Sequence, residues 1–204
     1  MKGYFITLEG IDGAGKSSHL DFIVEFFERL GREVVVTREP GGNSLSEALR
    51  TLLLTEHMNS LTEVLLMFAS RSESVCSIIM PALAEGKIVI SDRFTDSTLA
   101  YQGGGRNFSI DVINDLKNIV HPDLTPDLTL LFDVPLEVAR DRLSKGRSAD
   151  KFEALDGDFF NRVRNQYLSM ANYEPNRFKV IDSSHPVTVV RRLVYQALMD
   201  FIGV

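Results

Sequence analysis

Cysteine is almost missing from this chain. Cys76 is the only one among 204 residues, so no intrachain disulfide can form and no set of thiolates can hold a metal. It falls in an apolar helical pattern and reads as a small core residue. Positive charge is also in deficit: 22 Lys and Arg against 28 Asp and Glu give a formal charge of -6. That balance removes any general electrostatic drive toward nucleic acid or an anionic membrane. An acidic chain can still hold a polyanion where its cations converge. No signal peptide or membrane span is expected, because the one lysine and few apolar residues at the start run at once into Glu9 and a glycine loop. A reducing cytoplasm is the expected compartment. Repeats and low-complexity tracts are lacking as well. The composition, 44% hydrophobic and 25% charged with 14 Gly and 7 Pro, is globular, and the length suits one domain over 1–204.

What is present alternates between short apolar runs and helical periodicity. Residues 3–8 are β-branched and aromatic and read as a buried strand ending at Gly10. From Ser17 the positions Leu20, Ile23, Val24, Phe27 and Leu30 recur at helical spacing, and Gly31 stops them. Val34–Val36 forms the next strand, which completes a βαβ unit. Helices are expected over Ser44–Leu54 and Leu61–Leu83, with Pro81 bending or ending the second. Lys87–Ser91 is a third strand running into Asp92. After a glycine-rich loop, Gly103–Arg106, come a helix at Ile110–Val120, a strand at Leu128–Val134 and a helix from Pro135 to about Leu143. Residues 144–158 read as a surface lid segment. A helix at Phe159–Tyr173, a strand at Phe178–Asp182 and a helix at Val187–Phe201 close the pattern. The expected fold is a three-layer α/β domain with a five-stranded parallel sheet.

The turn after the first strand reads Gly10-Ile11-Asp12-Gly13-Ala14-Gly15-Lys16-Ser17, with Ser18 following. Triphosphate oxygens need many short donors, and glycines at 10, 13 and 15 let backbone N–H groups curl inward around them. The next helix adds its positive end, Lys16 reaches the β and γ phosphates, and Ser17 offers a hydroxyl for magnesium. A dinucleotide-binding turn has the wrong spacing and leaves Lys16 unexplained. ATPase, GTPase and small-molecule kinase remain open on this loop alone.

Other residues point toward a second anion. Asp92 should emerge at a carboxyl strand end, placed to hold magnesium, although capping a helix or pairing with Arg93 would also explain it. Arg38, Arg71, Arg93 and Arg106 lie in or beside strand-end loops or the long helix, where guanidinium forks could grip a second phosphate. Phe68 and Arg71 share a helical face and Tyr101-Gln102 borders the glycine loop, so a nucleobase could be stacked and read there. Phe68 reads equally as a core aromatic. Arg140, Arg142, Lys145, Arg147 and Lys151 form a basic run, either a solvated helix end or a lid that excludes water.

The segments Leu8 to Ser17, Thr37-Arg38-Glu39-Pro40-Gly41-Gly42, Leu66 to Arg71, Asp92-Arg93-Phe94, Ser97, Ala100-Tyr101-Gln102-Gly103 and Pro126 to Thr129 together resemble the thymidylate kinase family over essentially the whole chain. The family belongs to the P-loop nucleoside-monophosphate kinases. The resemblance implies ATP-dependent phosphorylation of dTMP to dTDP by in-line transfer, supplying dTTP synthesis, with Mg2+ as cofactor and a homodimer as the assembly. It implies that Phe68 stacks on thymine while Arg71 and Gln102 read its edge. Arg38, Arg93 and Arg106 would orient the acceptor phosphate, with Asp12 at the sugar hydroxyl. Glu39 and Pro40 would shape the cleft, Glu39 also reaching magnesium, and Ser97 would belong to the same site. Tyr101 would exclude a ribose hydroxyl. The phosphate loop has Ala14 and no arginine, as in the bacterial type whose catalytic arginine lies in the lid. Arg142, Arg147 and Lys151 are the candidates, Arg147 first; Asp150-Lys151 stands where an acidic residue and arginine are expected, and lysine lacks the fork. Arg140 and the loop Ser183-Ser184-His185-Pro186 would flank adenine, though His185 reads equally as an exposed loop residue and GTP stays open. A uridylate, guanylate or deoxynucleoside kinase is the rival enzyme reading, and a nucleotide-dependent switch is the rival without acceptor chemistry.

Overall fold

A computed structural model describes residues 2–144 and 157–203. Arg147, Lys151 and most of the lid expected at 144–158 therefore lie outside the described residues. The five strands are β1 (Tyr4–Glu9), β2 (Val34–Arg38), β3 (Ile88–Asp92), β4 (Leu128–Asp133) and β5 (Phe178–Asp182). They form one parallel sheet in the order β2-β3-β1-β4-β5. The chain leaves β1 for one side of the sheet and returns on its other side, so a crevice opens at the carboxyl end of β1. Strand alternation divides the core. Ile6 and Leu8 belong to the larger apolar cluster with Ile23 and Phe27 of α1 (Ser17–Arg29) and Val194 of α9 (Val187–Ile202). Phe5 and Val89 join a smaller cluster with Val75, Ile79 and Ala82.

The remaining helices are α2 (Ser44–Thr55), α3 (Ser60–Ser74), α4 (Met80–Ala84), α5 (Thr95–Thr98), α6 (Ile110–Val120), α7 (Leu136–Ser144) and α8 (Gly157–Tyr173). Two π-helical stretches, π1 (Val75–Ile79) and π2 (Leu99–Gly105), join α3 to α4 and extend α5. π1 lies just before Pro81, whose missing N–H breaks the regular ladder there. Cys76 sits in π1 and is exposed, so it is not the core residue its apolar setting suggests. Ser60–Ala84 reaches the length and composition of a bilayer span, against the expectation of none. Its Glu63 and Arg71 are nonetheless buried and ion-paired to other elements, which packs this run into the domain.

The glycine-rich stretch is not the loop the sequence suggests. Gly104 and Gly105 bring π2 against α8 so closely that a Cβ on Gly104 would fall 2.6 Å from that of Gln166. Arg162 of α8 donates to the Gly105 carbonyl at 2.9 and 3.1 Å. Glycine here permits helix contact rather than a turn.

Candidate active site

The phosphate loop follows from the end of β1. Gly13 has φ 79, and a Cβ there would meet the Ala139 carbonyl oxygen of α7 at 2.5 Å. Only glycine fits both constraints. No side chain caps α1, which leaves its positive end to a ligand. Lys16 is buried and its Nζ donates to the carbonyls of Gly10 at 3.1 Å and Ile11 at 3.4 Å. Burial, then the Arg93 charge, holds its ammonium below the usual range, against the carboxylates of Asp92, Asp12 and Glu9.

A cavity of about 690 Å³ opens over this loop. Asp12, Gly13, Ala14, Gly15, Lys16, Ser17, Ser18 and His185 line it, while the Gly10 carbonyl anchors Lys16 from beneath. Arg140 does not reach it. Helical phase turns Arg140 to solvent and brings Arg142 inward, where it donates to the carbonyls of Gly13 at 3.4 Å and Ser183 at 2.7 Å. Ser184 is outside the lining, its hydroxyl bonded to Asp182 at 2.6 Å, while its loop neighbours Ser183, His185 and Pro186 line the cavity together with Val187. Asp92 lines the cavity with Ser17, and its Oδ1 is buried without a hydrogen-bond partner. An orphaned carboxylate oxygen beside a hydroxyl suits a hard cation. Among the described residues no group of three or more His, Cys, Asp or Glu could hold a metal.

A second cavity, about 100 Å³, adjoins the first. The widened turn of π2 and the short helix α5 aim Ser97, Thr98, Tyr101 and Gln102 into it. Asp12, Glu39, Pro40, Arg71 and Arg93 complete its polar wall, and Leu53, Leu54, Met67 and Phe94 its apolar wall. Phe68 is absent from this lining. It is 2% exposed and faces inward, stacked on His121 with ring centroids 6.5 Å apart and covered by the Arg71 guanidinium at 4.6 Å. The core reading of Phe68 is the one its geometry supports, and Phe94 and Met67 take the cavity position. Arg106 is also outside. It pairs with buried Glu63 at 3.0 Å, the same carboxylate that accepts from Gln102 Nε2 at 2.9 Å, so the pair fixes Gln102 from behind. Arg38 lines the larger cavity rather than this one and is held by Glu47 at 2.9 Å.

Arg71 and Glu39 form a sealed ion pair at 2.8 Å. Arg71 Nη1 and Glu39 Oε1 are both buried without partners, one donor and one acceptor left over in a cavity the size of a small ring. Burial raises the Glu39 carboxyl above its ordinary value while Arg71 opposes the rise.

Asp12, Glu39, Arg50 and Arg93 line both cavities, so the two spaces meet at a wall of two carboxylates and two guanidiniums. Arg93 pairs with Asp12 at 2.7 Å, not with Asp92, and also donates to the Tyr101 hydroxyl at 3.1 Å. Burial pushes the Asp12 carboxyl up, but the charges of Arg93 and Lys16 outweigh it and hold the group at about 2. Arg50, which also donates to the Pro40 carbonyl at 2.9 Å, was not legible as a site residue because it sits in an ordinary amphipathic helix. Glu9 was missed too, although a carboxylate closing an apolar strand was a signal: it is fully buried and accepts from Phe94 N, Ser97 and Tyr167.

A phosphate loop at a parallel-sheet crevice, joined through arginines to a small polar-and-apolar cavity, has the build of a P-loop phosphotransferase with a second site for an anionic acceptor. The comparisons specify which. The thymidylate kinase family model matches residues 8–194. The chain is 54% identical to a thymidylate kinase of Methylobacillus flagellatus, with 98% of this chain and 99% of that protein covered. It is 55% identical to one of a Janthinobacterium species, with 93% of each covered. The solved thymidylate kinase of Ehrlichia chaffeensis superposes with a TM-score of 0.79 at 36% identity, covering 97% of this chain and 99% of that one. The chain belongs to the thymidylate kinase family.

Proposed function

We propose that in-line displacement is how the chain carries out the ATP-dependent phosphorylation of dTMP to dTDP, the γ-phosphoryl group of ATP passing directly to the dTMP phosphate. The observation that carries this reading is the wall shared by the two cavities, which would set a donor phosphate and an acceptor phosphate face to face. A dTMP phosphate oxygen forms the new bond to the γ phosphorus as the bond to the β–γ bridging oxygen breaks, and no protein base is needed because that oxygen is already a nucleophile. Lys16 and the loop amides stabilise charge on the donor side, and Arg93 with Arg50 orients the acceptor phosphate. Arg71 Nη1 and Gln102 read the thymine edge over Phe94 and Met67. Tyr101 crowds the sugar next to Asp12. Arg142, beside Pro186 and Val187, holds adenine in place of Arg140. The lid cation remains assigned to Arg147, with Lys151 second.

Ser17 and Asp92 would hold Mg2+, which when bound neutralises phosphate charge. Glu39 gives Oε2 to Arg71, keeps Oε1 without a partner, and is assigned to the acceptor side. The proposed assembly is a homodimer, supported by exposed Leu61 and Leu65 on α3 beside exposed Leu45 and Leu52 on α2. Sedimentation equilibrium reports it directly. Coupled ADP release across acceptors tests the reaction: dependence on dTMP supports it, dependence on UMP or dGMP instead moves the assignment to another kinase, and acceptor-independent turnover moves it to a switch.

A further inference from the structure

The Arg93 side chain is anchored by a buried network that the reaction itself does not use. Its backbone has φ 74, a left-handed conformation unusual for a residue with a long side chain. Three contacts hold it there. Arg93 N donates to the Leu8 carbonyl at 3.0 Å, Ser91 donates to the Arg93 carbonyl at 2.7 Å, and the next amide, Phe94 N, donates to Glu9 Oε1 at 2.8 Å. The other Glu9 oxygen accepts from the hydroxyls of Ser97 at 2.6 Å and Tyr167 at 2.7 Å. Those two hydroxyls in turn face Arg93 Nη1, at 3.1 and 3.5 Å.

A guanidinium only donates, so both hydroxyls, themselves 2.8 Å apart, offer lone pairs to Arg93, and their protons are left for Glu9 Oε2 and for each other. Glu9 and Tyr167 are 0% and 1% exposed, and neither lines either cavity. Nη1 is thereby held from the protein side, while Nη2 lies with Asp12 and Tyr101 at the wall between the cavities. We propose that Glu9 and Tyr167 are positioning residues that set the Arg93 guanidinium for the acceptor phosphate. Tyr167 does so from α8, a helix remote in sequence from the strand-end loop it steadies. The proposal rests on the reading that Arg93 faces that phosphate.

Calorimetric binding of dTMP and of thymidine, which lacks the phosphate, to the intact protein without ATP tests it. Tyr167→Phe keeps the ring and removes the hydroxyl. It should weaken dTMP binding about tenfold, the scale of one hydrogen bond to a charged group, and leave thymidine binding within about twofold of wild type. In an Arg93→Ala background the same substitution should cost dTMP nothing further. Thymidine binding also shows that the variant is folded, and Glu9→Gln, which keeps volume but not charge, should repeat the pattern if Tyr167→Phe does not fold. Unchanged dTMP affinity in Tyr167→Phe, or equal weakening of both ligands, overturns the positioning role while Arg93→Ala still lowers the dTMP-to-thymidine ratio. An unchanged ratio in Arg93→Ala overturns both the role of Arg93 and the proposal built on it.

Discussion

Arg71 on α3 and Glu39 after β2 face each other at 2.8 Å with side chains 2% and 4% exposed. Such a pair costs desolvation on both sides, and removing one partner strands the other charge in the interior. Glu39→Ala should therefore lower unfolding free energy by about 3–5 kcal/mol and raise KM for dTMP, read from urea unfolding and initial rates. A variant as stable as wild type would mean that water reaches Arg71.

Lys16 sits folded over its own loop, bonded to two carbonyls that a triphosphate can replace as partner. Lys16→Met should reduce kcat by roughly 10²–10³, the usual scale for one lost charge-stabilising donor. Calorimetric dTMP affinity should stay near wild type, because Lys16 lines only the larger cavity.

Arg140 and Arg142 separate the sequence expectation from the structure. Arg142→Ala should raise KM for ATP severalfold with little change for dTMP, since its guanidinium lies against Gly13 and Ser183. Arg140→Ala should leave both constants near wild type, because Arg140 is exposed and outside the cavity. Steady-state kinetics on the two variants reverse the assignment if the effects are exchanged.

Burial first, then the Asp96 carboxylate, raise Glu9 from 4.5 to about 7, against hydrogen bonds from Ser97 and Tyr167 and the Arg93 charge. A raised carboxyl binds its proton more tightly in the folded state, so the stability it contributes is present below pH 4.5 and lost as pH rises through 7. His121 opposes this: burial and then Arg71 lower it from 6.5 to about 4, which makes the fold more stable as pH rises over that interval. The wild-type profile mixes the two effects. Denaturant melts of wild type against Glu9→Gln isolate the first, and the difference should move steadily against wild type between pH 4.5 and 7. A flat difference over that window contradicts the assigned shift.

Much of this fold was legible because buried parallel strands are short, continuous apolar runs. Lys87–Ser91 and Leu128–Val134 fall almost where β3 and β4 lie. The phosphate loop was legible for a different reason, since its glycines and Lys16 are contiguous in sequence. What failed depended on distant partners or on helical phase. Gly103-Gly104-Gly105 has loop composition, and only the close approach of Gln166 on α8 explains it as π2. Phe68 and Arg140 each sit beside the residue that does face a cavity, Met67 for one and, two positions on, Arg142 for the other. Tyr167 lies 158 residues from Glu9, and no local pattern could join them.

The most direct test of the central reaction follows the γ-phosphoryl label of ATP in the presence of dTMP and magnesium. Label should appear in dTDP in proportion to ADP formed, with little in inorganic phosphate. Release of label as inorganic phosphate, at a rate indifferent to dTMP, would contradict transfer between the two cavities.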